Sequence, residues 1–465
     1  MTSSSSPLVT VYIPCRNYGR FLGQALDSLR AQLHGNWEAI VVDEASDDDT
    51  PAIAARYAAL DKRIRTVRNA TPIGVQKVAN RVLGLAGGKY IVRLDADDWL
   101  DEGALLLMVA KLEANPDIGI VYGNYFYTNE AGNVIGTERR HRLGEEDMVG
   151  HLAPHGACTM VRARSLKAVG GYSEDINAQD GWELWYKLQN RVGAASLDVP
   201  VFYYRQHDTS LSRDNTRLLK ARARIFEKIA DRMGGAYVPT VLAVVAVREN
   251  YPDFEGVPYR IFEGRSLLER ALSSASESRH VTHVALSSES QTVLDHASKL
   301  EETGAIASHR RLLRPAQARG ALPIRDILHH AGLDHQDQHG APPDILAFLS
   351  LHAVNRRADH LNDAVNTLRV TESDSVISVL PESEPLFAHG ANGLALLNPG
   401  RFRDLAYDRE RFYAFNGCVL ASWWEIIESG ELLGTKIGFV EMSEKDSFQI
   451  KAGPERALAS RIWPA

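Results

Sequence analysis

Three aspartates stand together in the stretch GGKYIVRLDADDWLD, residues 87–101: Asp95, Asp97 and Asp98. Tyr90 to Leu94, just before them, is rich in β-branched and aromatic residues and reads as a strand. Carboxylates that follow a strand at once lie at the carboxyl edge of its sheet, where open α/β sheets hold ligands. Two carboxylates in a D-x-D spacing suit a hard divalent cation, Mn2+ or Mg2+. Such an ion takes oxygen ligands and keeps positions free for phosphate oxygens. The same residues also fit a solvated acidic turn, because Asp clusters are common in turns.

The elements that must position these carboxylates come earlier in the chain. Val9–Ile13 reads as a strand, and Pro14-Cys15-Arg16-Asn17 turns out of it. Phe21, Leu22, Ala25, Leu26 and Leu29 then recur at helical spacing. Trp37–Val42 is a second buried strand ending in Asp43-Glu44, and SDDDT reads as a helix start with acidic groups at the positive helix end. This β-α-β order predicts an α/β fold, a parallel sheet with helices on its faces.

With 465 residues, two or three domains are expected. A net charge of −7 argues against a nucleic-acid partner. Cys15, Cys158 and Cys418 are scattered, with neither disulfide framework nor zinc spacing, which points to a reducing cytoplasm. The start MTSSSSPLVT has neither a basic n-region nor a long apolar core, so it does not read as a signal peptide. The longest apolar run, Val241–Val247, is far shorter than a membrane span. Any membrane contact, at the inner face, is therefore expected to be peripheral.

Five blocks in order, covering roughly residues 8–215, resemble family-2 glycosyltransferases of the GT-A fold. The first is VYIPCRNYGRFLGQALDSLRAQLHGNWEAIVVDEASDDDT, similar to that family's I-I-P-x-x-N, S-x-x-x-Q and V-V-D-D-x-S-x-D-x-T. TPIGVQKVANRVLGLAGGKYIVRLDADDWL, with Gly74 and Asn80, resembles the next block, and the D-x-D at its end is the third. HGACTMVRARSLKAVGGYSEDINAQDGWELWYKL resembles the acceptor-side block, and FYYRQHDTSLS the family's Y-R-x-H-x-x-S-x-S.

The resemblance implies roles residue by residue. Arg16, Asp43 and Glu44 fall where the family grips the nucleotide of its sugar donor, with Glu44 where Asp is usual. Asp95 would face the ribose and the metal, and Asp97 would be the main metal ligand. Asp180 falls at the general base that takes the acceptor hydroxyl's proton in an inverting displacement. It also fits a helix N-cap, since Trp182, Leu184, Trp185 and Leu188 follow at helical spacing. His207 is either a third metal or diphosphate contact or a packed surface histidine. Trp182 and Trp185 read as core, and Gly74 and Asn80 as loop-shaping residues.

Asn215 to Met233 is helical and basic, with Arg217, Lys220, Arg222, Arg224, Lys228 and Arg232. It reads as a solvated connecting helix, with contact to an anionic lipid surface as the other reading. Gly234-Gly235 is expected to end it. The expected organisation is a disordered start over 1–7, a GT-A domain over 8–212, a linker over 213–236 and a second domain over 237–465.

That second half resembles the cytidylyltransferases that make CMP-sialic acid and related sugars, through AVVAVREN, EGVPYRIFEGRSLLERAL, HVALSSES, LRPAQ, SDSVISVLP, FNGCVLA and MSEKDSFQIKAGPERALA. The resemblance implies a second Rossmann-like α/β domain with a nucleotide site at Arg248, Arg314, Asn416 and Lys451. Tyr251-Pro252-Asp253 replaces the Ser-Lys of the phosphate loop, and Gln449-Ile450-Lys451 the magnesium-binding D-x-D. A lysine ammonium repels a cation, so loss of the cytidylyl reaction is expected. The expected activity is metal-dependent, inverting glycosyl transfer onto a surface polysaccharide, lipopolysaccharide or glycan, the acceptor being glycan or lipid-linked. The alternatives are a bifunctional enzyme that also activates a sugar acid with CTP, and a non-enzymatic nucleotide-binding scaffold. A homodimer through the second half is a further expectation.

Overall fold

The computed structural model describes residues 6–138, 156–188, 191–208, 214–233, 238–251, 254–315, 322–382, 384–390, 393–398 and 412–450. The chain divides into two units, 1–225 with 384–410, and 226–383 with 411–465.

In the first unit, strands and helices alternate as the periodicity predicts. They are β1 (Val9–Cys15), α1 (Gly19–Arg30), β2 (Trp37–Asp43), α2 (Thr50–Leu60), β3 (Ile64–Arg68), α3 (Val75–Leu85) and β4 (Tyr90–Arg93). All seven residues of β1 are buried, as expected of a central strand covered on both faces. The helix α1 buries Phe21, Leu22, Ala25, Leu26 and Leu29 along one stripe, and Arg30 in its last turn complements the helix dipole. At its start the chain passes so close to the head of α2 that a Cβ on Gly19 would stand 2.9 Å from the Thr50 amide nitrogen.

Beyond β4 come β5 (Trp99–Leu100), α4 (Ala104–Ala114), β6 (Ile118–Thr128), β7 (Val134–Glu138), β8 (Thr159–Arg162), α5 (Ala163–Ala168), α6 (Asp180–Leu188), β9 (Gly193–Arg205) and α7 (Asn215–Met233). The sheet order is β3-β2-β1-β4-β8-β6-β9-β5, with β7 on β6. The expected parallel pairing holds for β3-β2-β1-β4. It fails at β8, which runs antiparallel to both β4 and β6. The sheet is therefore mixed: β6 runs in the same sense as β4, and β9, parallel to β6, ends beside the aspartates, with β5 antiparallel to it. Among the described residues, no helix is long and apolar enough to cross a membrane.

The second unit begins with β10 (Val241–Val247), two short ribbons β11 (Asn250–Tyr251) with β12 (Phe254–Glu255) and β13 (Ile261–Phe262) with β14 (Arg265–Ser266), and α8 (Leu267–Ser276). Ser266 and Glu269 form a capping box at the head of α8, which satisfies amides the helix cannot. Then follow β15 (His283–Ser288), α9 (Gln291–Glu302), β16 (Arg310–Leu313), α10 (Ile324–His339), β17 (Ile345–Ser350), α11 (Ala358–Val370) and β18 (Ser375–Glu382). A ribbon of β19 (Leu386–Gly390) and β20 (Gly393–Asn398) belongs to the first unit's residues. Last come β21 (Phe412–Trp423), α12 (Trp424–Glu428) and β22 (Ile437–Glu441).

This unit's sheet runs β16-β15-β10-β17-β21-β18-β22. Its parallel part has the same winding as the first sheet: third, second, first, then fourth strand. In such a winding the strand order reverses beside the first strand, and the crevice at the carboxyl ends there is the usual ligand position. Gly234-Gly235, expected to end α7, lies outside the described residues.

Candidate functional site

At the carboxyl end of β4 the chain turns through Asp95 to Asp98 in a tight bend, with the Asp98 amide donating to the Asp95 carbonyl at 3.1 Å. Arg93 reaches back to Asp95, its Nε 3.0 Å from Oδ1 and its Nη2 donating to Oδ2 at 3.3 Å. Asp97 meets His207, whose Nε2 stands 2.9 Å from Oδ2. The ring of His207 is buried against Tyr18 and Phe21, at centroid distances of 5.5 and 5.2 Å. His207, expected either as a third metal or diphosphate contact or as a packed surface histidine, is buried and stands in hydrogen-bond contact with Asp97 of the D-x-D.

What holds His207 there is the end of β9. Asp98 is buried and accepts from the Arg205 amide at 2.8 Å. The Arg205 guanidinium donates to the Asp97 carbonyl at 2.8 Å, the Glu130 carbonyl at 2.5 Å and Gln24 Oε1 at 2.5 Å. It is sandwiched between the rings of Phe21 and Trp99, 4.6 and 4.7 Å from their centroids. Arg205 and Asp98 had no role in the sequence reading, although both sit inside the motifs that flagged their neighbours.

The other Asp98 oxygen, Oδ2, is buried with no hydrogen-bond partner. Burial, with Asp97 and Asp95 close by, holds the Asp98 carboxyl well above the ordinary carboxylate range. Three carboxylates, one of them with an unpartnered buried oxygen, and one imidazole make a donor set that fits a divalent cation. The Asp97–His207 distance fits as well: cis ligands about 2.1 Å from one octahedral ion stand about 3 Å apart. In the protein alone the same contact is an N–H···O hydrogen bond.

Asp43 ends β2, buried, with Oδ1 accepting from the Ser46 amide at 2.9 Å and Oδ2 3.3 Å from Arg68 Nε. Glu44 is buried too and turns toward its own chain. Its Oε2 accepts from the amides of Ile73 and Gly74, both at 2.8 Å, and its Oε1 accepts from Asn69 Nδ2. Glu44 thus fixes the turn that launches α3 at Gly74, where φ is 91°. Arg16 is exposed just past β1.

Asp180 is the first residue of α6, and its side chain lies outside the described residues. The helix is launched from Gln179 (φ 55°), whose carbonyl accepts from the Trp182 amide at 2.9 Å and whose Oε1 accepts from Arg222 at 3.2 Å. The segment before it is clamped by Asn80, which bonds both the amide and the carbonyl of Tyr172, at 2.8 and 2.9 Å. A Cβ on Gly171, φ 71°, would stand 2.3 Å from Asn80 Oδ1, so the clamp requires glycine. Glu183 adds two bonds from the Ser173 amide, at 3.0 and 2.9 Å. Trp182 and Trp185 are buried.

The family model described as Glycosyl transferase family 2 matches residues 10–170. A putative glycosyltransferase, EpsE of Bacillus subtilis, is 33% identical over 236 residues, 48% of this chain and 84% of EpsE. The chain belongs to glycosyltransferase family 2. This family-2 enzyme is also 27% identical over 269 residues to the uncharacterized protein y4gI of Sinorhizobium fredii, a match spanning 55% of this chain but only 29% of y4gI. Among solved structures it is similar to residues 1–349 of S. aureus TarS in complex with UDP-GlcNAc. That likeness has a TM-score of 0.42 and 18% identity over 49% of this chain and 67% of TarS.

In the glycosyltransferase's second unit, the residues expected to hold a nucleotide are placed as follows. Arg314 is buried, donating to Ser287 Oγ at 3.2 Å and to the carbonyls of Val247 and Ser287, both at 2.9 Å. Its guanidinium ties the carboxyl ends of β10 and β15 together. Asn416 accepts from Ser378 Oγ at 2.6 Å and the Cys418 amide at 3.1 Å, and donates to Ser447 Oγ at 2.8 Å. Arg248 is half-buried just past β10. Lys451 lies outside the described residues.

Proposed function

We propose that this enzyme transfers a sugar, with inversion, from a nucleoside-diphosphate donor to a hydroxyl of a growing surface polysaccharide, lipopolysaccharide or other glycan, the acceptor being glycan or lipid-linked. The observation that carries the reading is the Asp97–His207 pair, fixed by Asp98 and Arg205 at the sheet's carboxyl edge. In this reading residues 8–212 are a GT-A domain, 213–236 a linker and 237–465 a cytidylyltransferase-like domain without its reaction.

Asp97, Asp95 and His207 would hold Mn2+ or Mg2+, and the imidazole favours Mn2+ as the softer partner. When bound, the cation supplies positive charge where the nucleoside diphosphate departs. The chain's own residues do the rest. Asp43, at the end of β2, with Arg16 one residue past its register partner Cys15, receives the nucleotide. Glu44 is a positioning residue, holding the Asn69–Gly74 turn. Asp180 removes the proton of the acceptor hydroxyl as that oxygen attacks the anomeric carbon.

The reading places the enzyme in the cytoplasm, with peripheral contact at the inner membrane face through the basic α7. The test is binding of a panel of nucleotide sugars to the full chain, with and without manganese. Tight binding of one donor that disappears with EDTA supports the reading. Binding that is indifferent to manganese across the panel overturns it.

A further inference from the structure

Three histidines meet at the edge of the second sheet opposite its carboxyl ends. His335 and His339 lie one turn apart near the end of α10, and His283 is the first residue of β15. A helical i, i+4 pair projects from one face, so a single strand residue beneath can complete a triangle. The ring centroids are 4.7, 4.5 and 4.3 Å apart, and one nitrogen from each ring lies within 4.8 Å of the others. His283 Nδ1 stands 3.0 Å from Thr282 Oγ1 and 3.3 Å from His335 Nε2, the second a long hydrogen-bond distance in the protein alone. That second distance is also the spacing of two nitrogens each about 2.05 Å from one tetrahedral ion, about 3.3 Å.

We propose that His283, His335 and His339 form a binding site for a zinc-class divalent metal, with a fourth position open. The surroundings have the features such a site needs. The Nδ1 of His335 faces the Ala341 carbonyl at 3.2 Å; donation to that oxygen fixes the tautomer and leaves the Nε2 lone pair directed at the site. Asp334 is adjacent but committed, bonded by Arg310 at 3.0 and 2.9 Å and by Gln338 at 2.6 Å. The fourth position is thus left to water or to a ligand in the pocket of about 370 Å³ that the three rings line.

The site is separate from both places where a nucleotide is expected. In its own unit it sits at the head of β15, whereas Arg314 sits at the foot, beside Ser288. Five residues of strand put roughly 16 Å between them. Its nitrogen donors also differ from the carboxylates around Asp97, which separates the two sites chemically.

The experiment is a Co2+ titration of the full chain without a polyhistidine tag, followed in the visible spectrum, with Zn2+ competition. The expected result is a single equivalent with the intense bands of tetrahedral cobalt, displaced by Zn2+. His339 is exposed, so His339→Ala should fold as the parent does, checked by equal metal-free Tm. In that variant the bands vanish and Zn2+ affinity falls by more than the ~100-fold typical of lost supporting contacts. Asp97→Asn keeps them. Bands that survive in His339→Ala, or only weak octahedral bands in the parent, overturn the proposal and reduce the triad to packed histidines.

Discussion

His207 Nε2 and Asp97 Oδ2 are 2.9 Å apart in space and 110 residues apart in sequence. The contact is made because β9, parallel to β6 and so running in the same sense as β4, brings its carboxyl end to the D-x-D turn, where Arg205 and Asp98 lock it. It converts a cluster of carboxylates into a mixed oxygen and nitrogen donor set.

Replacing Asp97 by Asn should therefore abolish manganese-dependent donor binding and turnover while leaving the fold intact. The Asn can still accept a hydrogen bond from His207 but is a poor ligand for a hard cation. Calorimetry with the preferred nucleotide sugar, with and without manganese, measures it. Binding and transfer close to the parent's would show that the metal is held elsewhere.

Asp180→Asn should lower kcat by at least the ~10²-fold expected for loss of a general base, with donor affinity nearly unchanged. The other reading of this residue, a helix cap, predicts a different split. Loss of a cap lowers stability by about 1 kcal/mol and leaves catalysis in the folded fraction. Initial rates and denaturant melts on the same preparation separate the two.

Glu44→Gln should destabilise the first unit by about 1–3 kcal/mol, because the new amide faces donors and leaves one without an acceptor. The Ile73 and Gly74 amides and Asn69 all converge on that carboxylate. Urea denaturation reads the stability change, and a rise in donor Kd should accompany it as the turn before α3 loosens. Unchanged stability with altered base preference would instead make Glu44 a direct reader of the nucleotide.

Asp363, on α11, gives a pH signature. Burial, with Asp359 and Glu227 nearby, raises its pKa from 3.8 to about 7. Between those values the folded state keeps a proton that the unfolded state has lost, so this group lowers stability as pH rises through about 4 to 7. Asp363→Asn should gain Tm over the parent progressively across that window and hold the gain above it. A Tm difference that is flat from pH 4 to 8 would contradict the shift.

Much of this was legible in the chain because the signals were local. The burial pattern of β1 and β2, the α1 stripe and the D-x-D after β4 depend on residues a few positions apart. So does the full span of α7. The antiparallel reversal at β8 was not legible, since no short-range turn joins β8 to either of its partners, β4 and β6. Glu44 shows the same limit: its type and place suggested a nucleotide contact, while its partners lie 25 to 30 residues on. The histidine triad needs β15 and α10 side by side, and no spacing of 52 residues announces that.

The last prediction concerns the second unit and CTP. The expectation from sequence that it is similar to CMP-sugar synthetases rests in part on Arg314 and Asn416, yet the structure commits both to the protein itself. Arg314 donates to two backbone carbonyls and a serine hydroxyl, so presenting those donors to a phosphate would leave buried carbonyls unsatisfied. Asn416 already bonds Ser378, Cys418 and Ser447. The sequence adds Tyr251-Pro252-Asp253 and Gln449-Ile450-Lys451 where the synthetases carry their phosphate-loop Ser-Lys and magnesium-binding D-x-D. The full chain should consequently release no pyrophosphate from CTP with sialic-acid-like sugars and magnesium, measured by a coupled phosphate assay. Arg314→Lys should lower Tm through lost clasping of β10 to β15 without changing CTP affinity. Magnesium-dependent pyrophosphate release, abolished by a chelator and reduced in Arg314→Lys at unchanged Tm, would restore a bifunctional enzyme.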